Sequence, residues 1–387
     1  MNTKHICLVL PLLTSACSPS DSMSHLKEAW NSRNAPGQMS GSTFEKSWSK
    51  LPLNGTAAQQ GWSEDYWATY RGGISYRWQS DEAGYALETV DDSSSQSFDT
   101  QSPAEKFDLF KGRYDYPTVI SERDRTQIMK TIPSTAEQPN PEFVKDFEIP
   151  TWEGLCHGWA PAALNFKEPQ KAVTLANPQG HSVTFYPSDI KALLLYYQQY
   201  DGNRSTVTSF VAERCNTDFK HLDEQLNKGE ISKEDWRSAH EGVCGDINPG
   251  SLHLIFTNEI GLKKQGFVAD VTRDAEVWNQ PVNAFHSKVL EETEGAGEGA
   301  APGTVKEKRV RTQMDYTVEV DPSRDPSGTL NRTATYEYIL ELNAKDEIIG
   351  GRWVSEDRPD FVWRESKPQF SGYFKSLEDI YEQSIAP

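Results

Sequence analysis

The chain has 387 residues, with 57 acidic and 39 basic side chains and a net charge of −18. A field of this sign repels phosphate backbones, so nucleic acid is excluded as a partner. The composition is otherwise that of a globular protein, and the length allows two or three domains. After the first residues, no run is apolar enough to cross a membrane.

The N-terminus has the pattern of a secretory signal. Lys4 precedes an apolar run at residues 6–13, and small residues at 14–16 lead directly to Cys17. This resembles the bacterial lipoprotein signal, whose cysteine is acylated and becomes the new N-terminus. We expect a signal peptide at 1–16, lipid on Cys17, and a bacterial cell-envelope location, as an outer membrane lipoprotein or a secreted protein. The alternative is an ordinary cleaved signal in which Cys17 is incidental.

The elements up to residue 290 are predicted in chain order. Residues 17–43 are rich in Ser, Asn and Gly and predict a flexible tether, and the aromatic cluster at 44–85 predicts core packing. Runs at 172–176 and 182–186 around Asn177-Pro178-Gln179-Gly180 predict a hairpin. Helices are expected at 189–200, 219–226 and 232–240, and strands at 252–256 and 266–271. We assign residues 44–290 to a catalytic core.

The remainder of the chain is predicted to be rich in strands. Residues 291–304 are acidic and rich in Gly and Ala, which indicates a linker or mobile loop. Alternating segments at 306–320, 333–342 and 347–354 predict strands, and residues 376–384 predict a terminal helix. Residues 305–387 therefore form a β-rich C-terminal region of an α+β protein.

The five cysteines divide by position. Cys7 leaves with the signal and Cys17 is the expected lipid site. Cys215 and Cys244 lie among polar residues and Gly, and we expect them to form a disulfide in an oxidising compartment. This leaves Cys156 as a free thiol, which is a liability outside the cell unless it is used.

Cys156 follows a Gly-containing turn and precedes an apolar, Ala-rich helix. A thiol at a helix N-terminus is favoured as the thiolate by the helix dipole and by unpaired N–H groups. The same N–H groups can stabilise an oxyanion. The alternative is a small buried side chain with no chemistry. His157 would face elsewhere on the helix, so the base should come from a distant part of the chain.

His253 and Asp270 are the candidate partners of Cys156. His253 is predicted at the start of a strand after a Pro-Gly turn, and Asp270 on a neighbouring strand where it orients the imidazole. The order Cys–His–Asp is that of papain-like cysteine enzymes, but the interval from Cys156 to His253 is shorter than in the proteases. The sequence contains no metal-spaced histidine pair and no CxxC, so no zinc site is expected.

The segment at residues 270–282, with Trp-Asn-Gln-Pro-Val at 278–282, resembles the signature of the oomycete transglutaminase elicitor family. Bacterial relatives are similar in the stretches 152–163 and 248–282. The resemblance implies a papain-like transglutaminase with Cys156 as nucleophile, acting on glutamine- and lysine-containing proteins or small amines. It implies no required cofactor, and calcium only by analogy with the wider enzyme class. Trp152 or Trp278 would line the slot for the acyl donor, unless residues 278–282 are scaffold.

Three functions remain open from the sequence. The first is acyl transfer, in which Cys156 attacks a glutamine carboxamide and a primary amine resolves the thioester. The second is hydrolysis by the same residues, as in a deamidase, amidase or peptidase. The third is a non-enzymatic surface protein that keeps the fold.

Overall fold

A computed structural model describes residues 29–41, 43–87, 98–202, 205–215, 219–241, 246–272, 275–326 and 328–386. The predicted signal peptide, Cys17 and Cys244 lie outside these residues, and the predictions about them stay predictions. Among the described helices, none has both the length and the apolar character needed to cross a bilayer.

The helices are α1 (Gly37–Ser40), α2 (Pro103–Phe110), α3 (Pro117–Thr126), α4 (Cys156–Asn165), α5 (Pro187–Tyr196), α6 (Lys220–Asn227), α7 (Lys233–Glu241), α8 (Pro249–Ile255) and α9 (Leu377–Ile385). Two π-helical turns, Tyr197–Asp201 and Phe256–Leu262, extend α5 and α8. The strands are β1 (Asn54–Thr56), β2 (Val173–Ala176), β3 (Ser182–Phe185), β4 (Thr208–Ala212), β5 (Phe267–Asp270), β6 (Asn279–Glu294), β7 (Lys306–Thr317), β8 (Asn331–Leu342), β9 (Ile348–Trp353) and β10 (Phe361–Glu365).

One antiparallel sheet organises the molecule. Its strand order is β4-β10-β5-β6-β7-β8-β9, with β1 paired to β6, while β2 and β3 form the predicted separate hairpin. Helix α4 packs against β5 and β6, and α8 packs against β8 and β9. The expected mixture of helices and sheet is confirmed, and the two helices that carry Cys156 and His253 lie over different strands.

Part of the segment predicted to be an N-terminal tether packs on the protein. Residues 29–41 pack on the body of the protein, because Trp30 and Met39 are apolar side chains with 6% and 3% exposure. The backbone N–H of Ala29 also donates to the Ile349 carbonyl at 2.8 Å. The prediction of a flexible tether is therefore wrong for these residues, and residues 1–28 lie outside the described part.

The acidic segment at 291–304 begins as sheet rather than as a linker. β6 continues to Glu294 and pairs with β7, and ion pairs join Glu294 to Lys306 at 3.0 Å and Glu292 to Lys308 at 2.6 Å. These cross-strand pairs offset the repulsion that the acidic run would create by itself. The segment forms the end of a long hairpin, and the strands on both sides of it belong to the same sheet.

Candidate active site

Cys156 is the first residue of α4, and two close contacts fix its position. The Leu155 N–H, just before the helix, donates to the Tyr66 carbonyl at 2.5 Å. At Gly158 a Cβ would lie 2.4 Å from the Leu195 carbonyl of α5, so only glycine permits the two helices to approach this closely. The predicted helix start at the cysteine is confirmed, and the thiol therefore lies at the positive end of the helix dipole.

Residues 277–279, at the start of β6, cover the thiol. The Cys156 Sγ lies 3.6 Å from the Val277 carbonyl oxygen and 3.8 Å from Nδ2 of Asn279. Trp363 Nε1 donates to Asn279 Oδ1 at 2.7 Å. Because an indole N–H can only donate, this bond fixes the amide with its oxygen toward Trp363 and its nitrogen toward the sulfur. Asn279 is therefore oriented to donate to a thiolate.

The thiol is protonated in this closed arrangement. Cys156 is 5% exposed, and burial raises its pKa to about 11. The backbone N–H and the side-chain amide of Asn279 act in the opposite direction, while the carboxylates of Glu319 and Asp270 add to the increase. The S–H therefore donates to the Val277 carbonyl.

Asp270 lies near Cys156, but its contacts are with the connection between β5 and β6. Its Oδ1 accepts from the Thr272 N–H at 3.2 Å, the Thr272 hydroxyl at 2.9 Å and the Trp278 N–H at 3.0 Å. These bonds join both ends of the connection, of which residues 273–274 lie outside the described part. Asp270 thus holds in place the segment that covers the thiol.

His253 lies in a different environment from the one predicted. It is on helix α8 and fully buried, with Nδ1 2.9 Å from the Tyr338 hydroxyl and its ring stacked on Trp48 at 5.6 Å between centroids. The predicted strand at 252–256 is wrong because Asn248 caps a helix: its Oδ1 accepts from the Gly250 N–H at 2.9 Å. Pro249 at the first helical position favours the same start.

The sheet register separates His253 from Cys156. Tyr338, the partner of His253, pairs with Val310 of β7, which pairs with Val289 of β6. Val289 lies ten residues along β6 from Asn279, the partner of Cys156. At about 3.3 Å per residue, Val289 is displaced from Asn279 by roughly 30 Å along β6, so His253 and Cys156 lie at different points along the sheet. The structure brings together Cys156 and Asp270 and leaves His253 out, so the predicted triad is not assembled.

The other described histidines do not replace His253. His157, His221 and His286 are exposed, and His181 packs edge-on against Phe98. Within the described residues, no histidine hydrogen-bonds to Cys156. The geometry therefore identifies Asn279 and the Val277 carbonyl, rather than an imidazole, as the polar groups at the sulfur.

The two tryptophans predicted for the acyl-donor slot are both partly buried. The Trp278 ring lies 5.9 Å from the Tyr66 ring, and Tyr66 is the residue whose carbonyl fixes Leu155 beside the thiol. Trp152 instead faces Arg214, whose guanidinium carbon is 5.9 Å from the ring centroid. Trp278 lies between Val277 and Asn279, which both contact Cys156, whereas the ring contact of Trp152 is with Arg214.

The remaining predictions for the site concern the cysteines and a metal ion. Cys156 is the free thiol among the described residues. Cys215 is 2% exposed. Its predicted partner Cys244 lies outside the described part, so the pairing stays a prediction. Within that part, no group of three or more His, Cys, Asp and Glu side chains is arranged to hold a metal ion.

Comparisons with known proteins give the family and the fold of the chain. The family model of the transglutaminase elicitor matches residues 38–376. The chain belongs to the transglutaminase elicitor family. The crystal structure of the GP42 transglutaminase from Phytophthora sojae is similar to it, with a TM-score of 0.63 and 24% sequence identity, over 92% of this chain and 99% of that chain. At this identity the likeness shows the fold. No curated protein matches the chain.

The burial of His253 predicts how the unfolding free energy of this transglutaminase elicitor family member depends on pH. Burial lowers its pKa to about 3, from an ordinary value of 6.5. Below pH 6.5 the unfolded chain therefore binds a proton that the folded chain excludes, and stability falls as the pH falls. Between about pH 7 and pH 5 this one group should remove about 2 kcal/mol of unfolding free energy.

The comparison variant is His253→Phe, which fills similar space and leaves the Tyr338 hydroxyl bonded to Thr312 at 2.6 Å. Urea unfolding at both pH values should show that the variant lacks this component of the acid destabilisation. Folded His253→Phe should also keep most of any amine-incorporating activity at neutral pH. Loss of activity from a folded variant would show that His253 acts in the reaction.

Proposed function

We propose that this chain is a protein–glutamine γ-glutamyltransferase in which Cys156 is the nucleophile. The observation that carries the proposal is a free thiol at the N-terminus of α4, beside an amide fixed to donate to it, in a member of a transglutaminase-named family. A thiol nucleophile on a helix packed against an antiparallel sheet also supports the proposed relation to papain-like enzymes.

The reaction has two stages. The Cys156 thiolate attacks the side-chain carboxamide of a protein-bound glutamine, the C–N bond breaks, and the nitrogen takes up a proton and leaves as ammonia. A primary amine then attacks the thioester carbon, the C–S bond breaks, and the sulfur regains a proton as the isopeptide forms. The N–H groups of the first turn of α4 and the Asn279 amide are suited to stabilise the negative charge in each stage.

Opening of the site precedes chemistry in this proposal. Burial holds the pKa of Cys156 near 11, so in this scheme Val277 and Trp278 move aside before the thiolate forms at neutral pH, while Asn279 stays beside the sulfur as its donor. We propose that Asp270 is a positioning residue that sets where this segment returns, and that Trp278 with Tyr66 lines the acyl-donor entrance. Trp152 is proposed as an outer contact of the donor peptide. His253 has no part in this scheme.

The test is incorporation of dansyl-cadaverine into dimethylated casein, with calcium or with a chelator. We expect a fluorescent casein product, and a matching increase in peptide mass at glutamine. Mass spectrometry that finds glutamate instead would favour the hydrolase, since water then reaches the thioester before the amine. No change at glutamine under either condition would contradict both enzyme readings and favour a non-enzymatic surface protein.

The N-terminal predictions complete the proposal. Lipid on Cys17 would place the enzyme in the cell envelope, with contact to the membrane only through that lipid and with protein or small-amine substrates outside the cell. Mass analysis of the mature N-terminal peptide tests this. A peptide that begins beyond Cys17 contradicts the anchor and leaves the proposed reaction unaffected.

A further inference from the structure

Glu319 lies just beyond the end of β7 and contacts the start of β6. Gln280 of β6 donates from Nε2 to both carboxylate oxygens of Glu319, at 2.9 and 3.2 Å. Asn279, the residue before Gln280, is the one whose amide contacts the sulfur of Cys156. The carboxylate is therefore held by the same short segment that provides the donor at the thiol.

A second segment, residues 64–66, connects Glu319 to the other side of the site. The N–H of Val320, the residue after Glu319, donates to the first carbonyl of this segment at 3.2 Å. The last carbonyl of the segment, that of Tyr66, holds the residue before Cys156. Burial raises the pKa of both Tyr66 and Cys156, and the negative charge of Glu319 adds to both increases. Glu319 thus lies close enough to the thiol for its charge to act there.

Glu319 and Gln280 present oxygen atoms that the protein leaves available. Gln280 is 3% exposed, and no described residue donates to its Oε1. Because a carboxylate only accepts, the Gln280 nitrogen must face Glu319, and the free oxygen on the same carbon lies beside the carboxylate. Glu319 is half-buried, and Arg332 acts on it electrostatically without forming an ion pair. The neighbouring Asp65 differs, since Arg71 lies 3.7 Å from it.

The charge of Glu319 does not help the first stage of the proposed reaction, because a carboxylate near the thiol opposes thiolate formation. It suits the second stage. A primary amine enters as an ammonium ion and must lose a proton before it can attack the thioester. Burial raises the pKa of Glu319 more than Gln280 and Arg332 lower it, so its carboxylate is a stronger base than an ordinary glutamate.

We propose that Glu319 and Gln280 bind the amino group of the acyl acceptor and that Glu319 takes a proton from it. The proposal rests on the transglutaminase function proposed above. The ammonium group donates to the Glu319 carboxylate and to Gln280 Oε1, one proton passes to Glu319, and the nitrogen lone pair attacks the thioester carbon. As the C–S bond breaks, a second proton passes from the nitrogen to the sulfur of Cys156, and Glu319 releases its proton to water. The site therefore selects a cationic primary amine, such as a lysine side chain or an alkyl diamine.

Two acceptors of different charge test the site in the variant Glu319→Gln, with dimethylated casein as the glutamine donor. Dansyl-cadaverine enters as an ammonium ion, whereas hydroxylamine is uncharged at neutral pH and forms a hydroxamate from the same thioester. Glutamine keeps an oxygen for the Gln280 N–H. We expect kcat/KM for dansyl-cadaverine to fall by about 10²-fold, while hydroxamate formation changes little and shows that the variant is folded and forms the thioester.

The matched control is Asp315→Asn, which removes a carboxylate from β7 and keeps an oxygen for the Thr333 hydroxyl at 2.6 Å. It should use both acceptors as the original protein does. The inference is overturned if Glu319→Gln keeps full activity with dansyl-cadaverine, or if it loses both acceptors equally, since an equal loss indicates a structural role. If the original protein uses neither acceptor, the transglutaminase function is contradicted and this inference fails with it.

Discussion

Cys156→Ala should abolish amine incorporation, with kcat/KM reduced by more than about 10³-fold. The substitution removes the atom that forms the thioester, and no second free thiol is present among the described residues. Alanine fits the space of a 5% exposed thiol at the start of a helix, so unfolding free energy should change by only about 1 kcal/mol. Steady-state kinetics with dansyl-cadaverine and urea unfolding measure the two effects separately.

The control for this substitution is its neighbour. His157→Ala changes an exposed side chain on the same turn and leaves the backbone N–H in place. It should retain most of the activity. Full activity in Cys156→Ala would remove Cys156 as nucleophile, and a dead but folded His157→Ala would show that the exposed imidazole, not the helix terminus, activates the sulfur.

Asn279→Asp should have the next largest effect, a fall in kcat/KM of about 10² to 10³-fold. A carboxylate in place of the amide removes the donor 3.8 Å from the sulfur and puts a negative charge beside the thiolate. The pH at which iodoacetamide modifies Cys156 should therefore move upward. Trp363→Phe should give a smaller loss of about tenfold, because the amide loses the 2.7 Å bond that orients it.

Asn331→Asp is the control that tests whether an added negative charge by itself explains the loss of activity in Asn279→Asp. Asn331→Asp, at the start of β8, keeps an oxygen that accepts from Thr317 at 3.0 Å and lies outside the contacts of Cys156. It should leave both kcat/KM and the alkylation profile close to those of the original protein. An equal loss in Asn331→Asp, or an unchanged alkylation profile in Asn279→Asp, would contradict the role assigned to Asn279.

Helix α8 illustrates where a local pattern was insufficient. The run at 252–256 is apolar on both sides of His253, and a run of this length is ambiguous between a buried strand and a buried helix. Asn248 and Pro249 decide the matter by starting a helix. In the sequence, the same residues also fit a turn before a strand, which is why the strand is predicted there.

Composition alone also gave the wrong structure for residues 29–41 and 291–294. Their compositions are those of a tether and a linker, yet Trp30 is buried and Glu292 and Glu294 are paired with lysines of β7. The composition of a segment indicates only how much apolar surface that segment itself can contribute to a core. It does not include the surface or the opposite charges that another part of the chain supplies.

The sequence by itself determined the start of α4 at the free thiol of Cys156, the hairpin at 172–186, most of the strands and, through residues 270–282, the family. These features depend on neighbouring residues, because helix starts, turns and strand alternation are set over a few positions. Only the tertiary structure decided which side chains meet at Cys156. Asn279 and Trp363 come from strands 84 residues apart and join through the pairing of β5 with β6 and β10. The same strand order places His253 against Tyr338 of β8, two strands away from β6, and sequence separation does not reveal strand order.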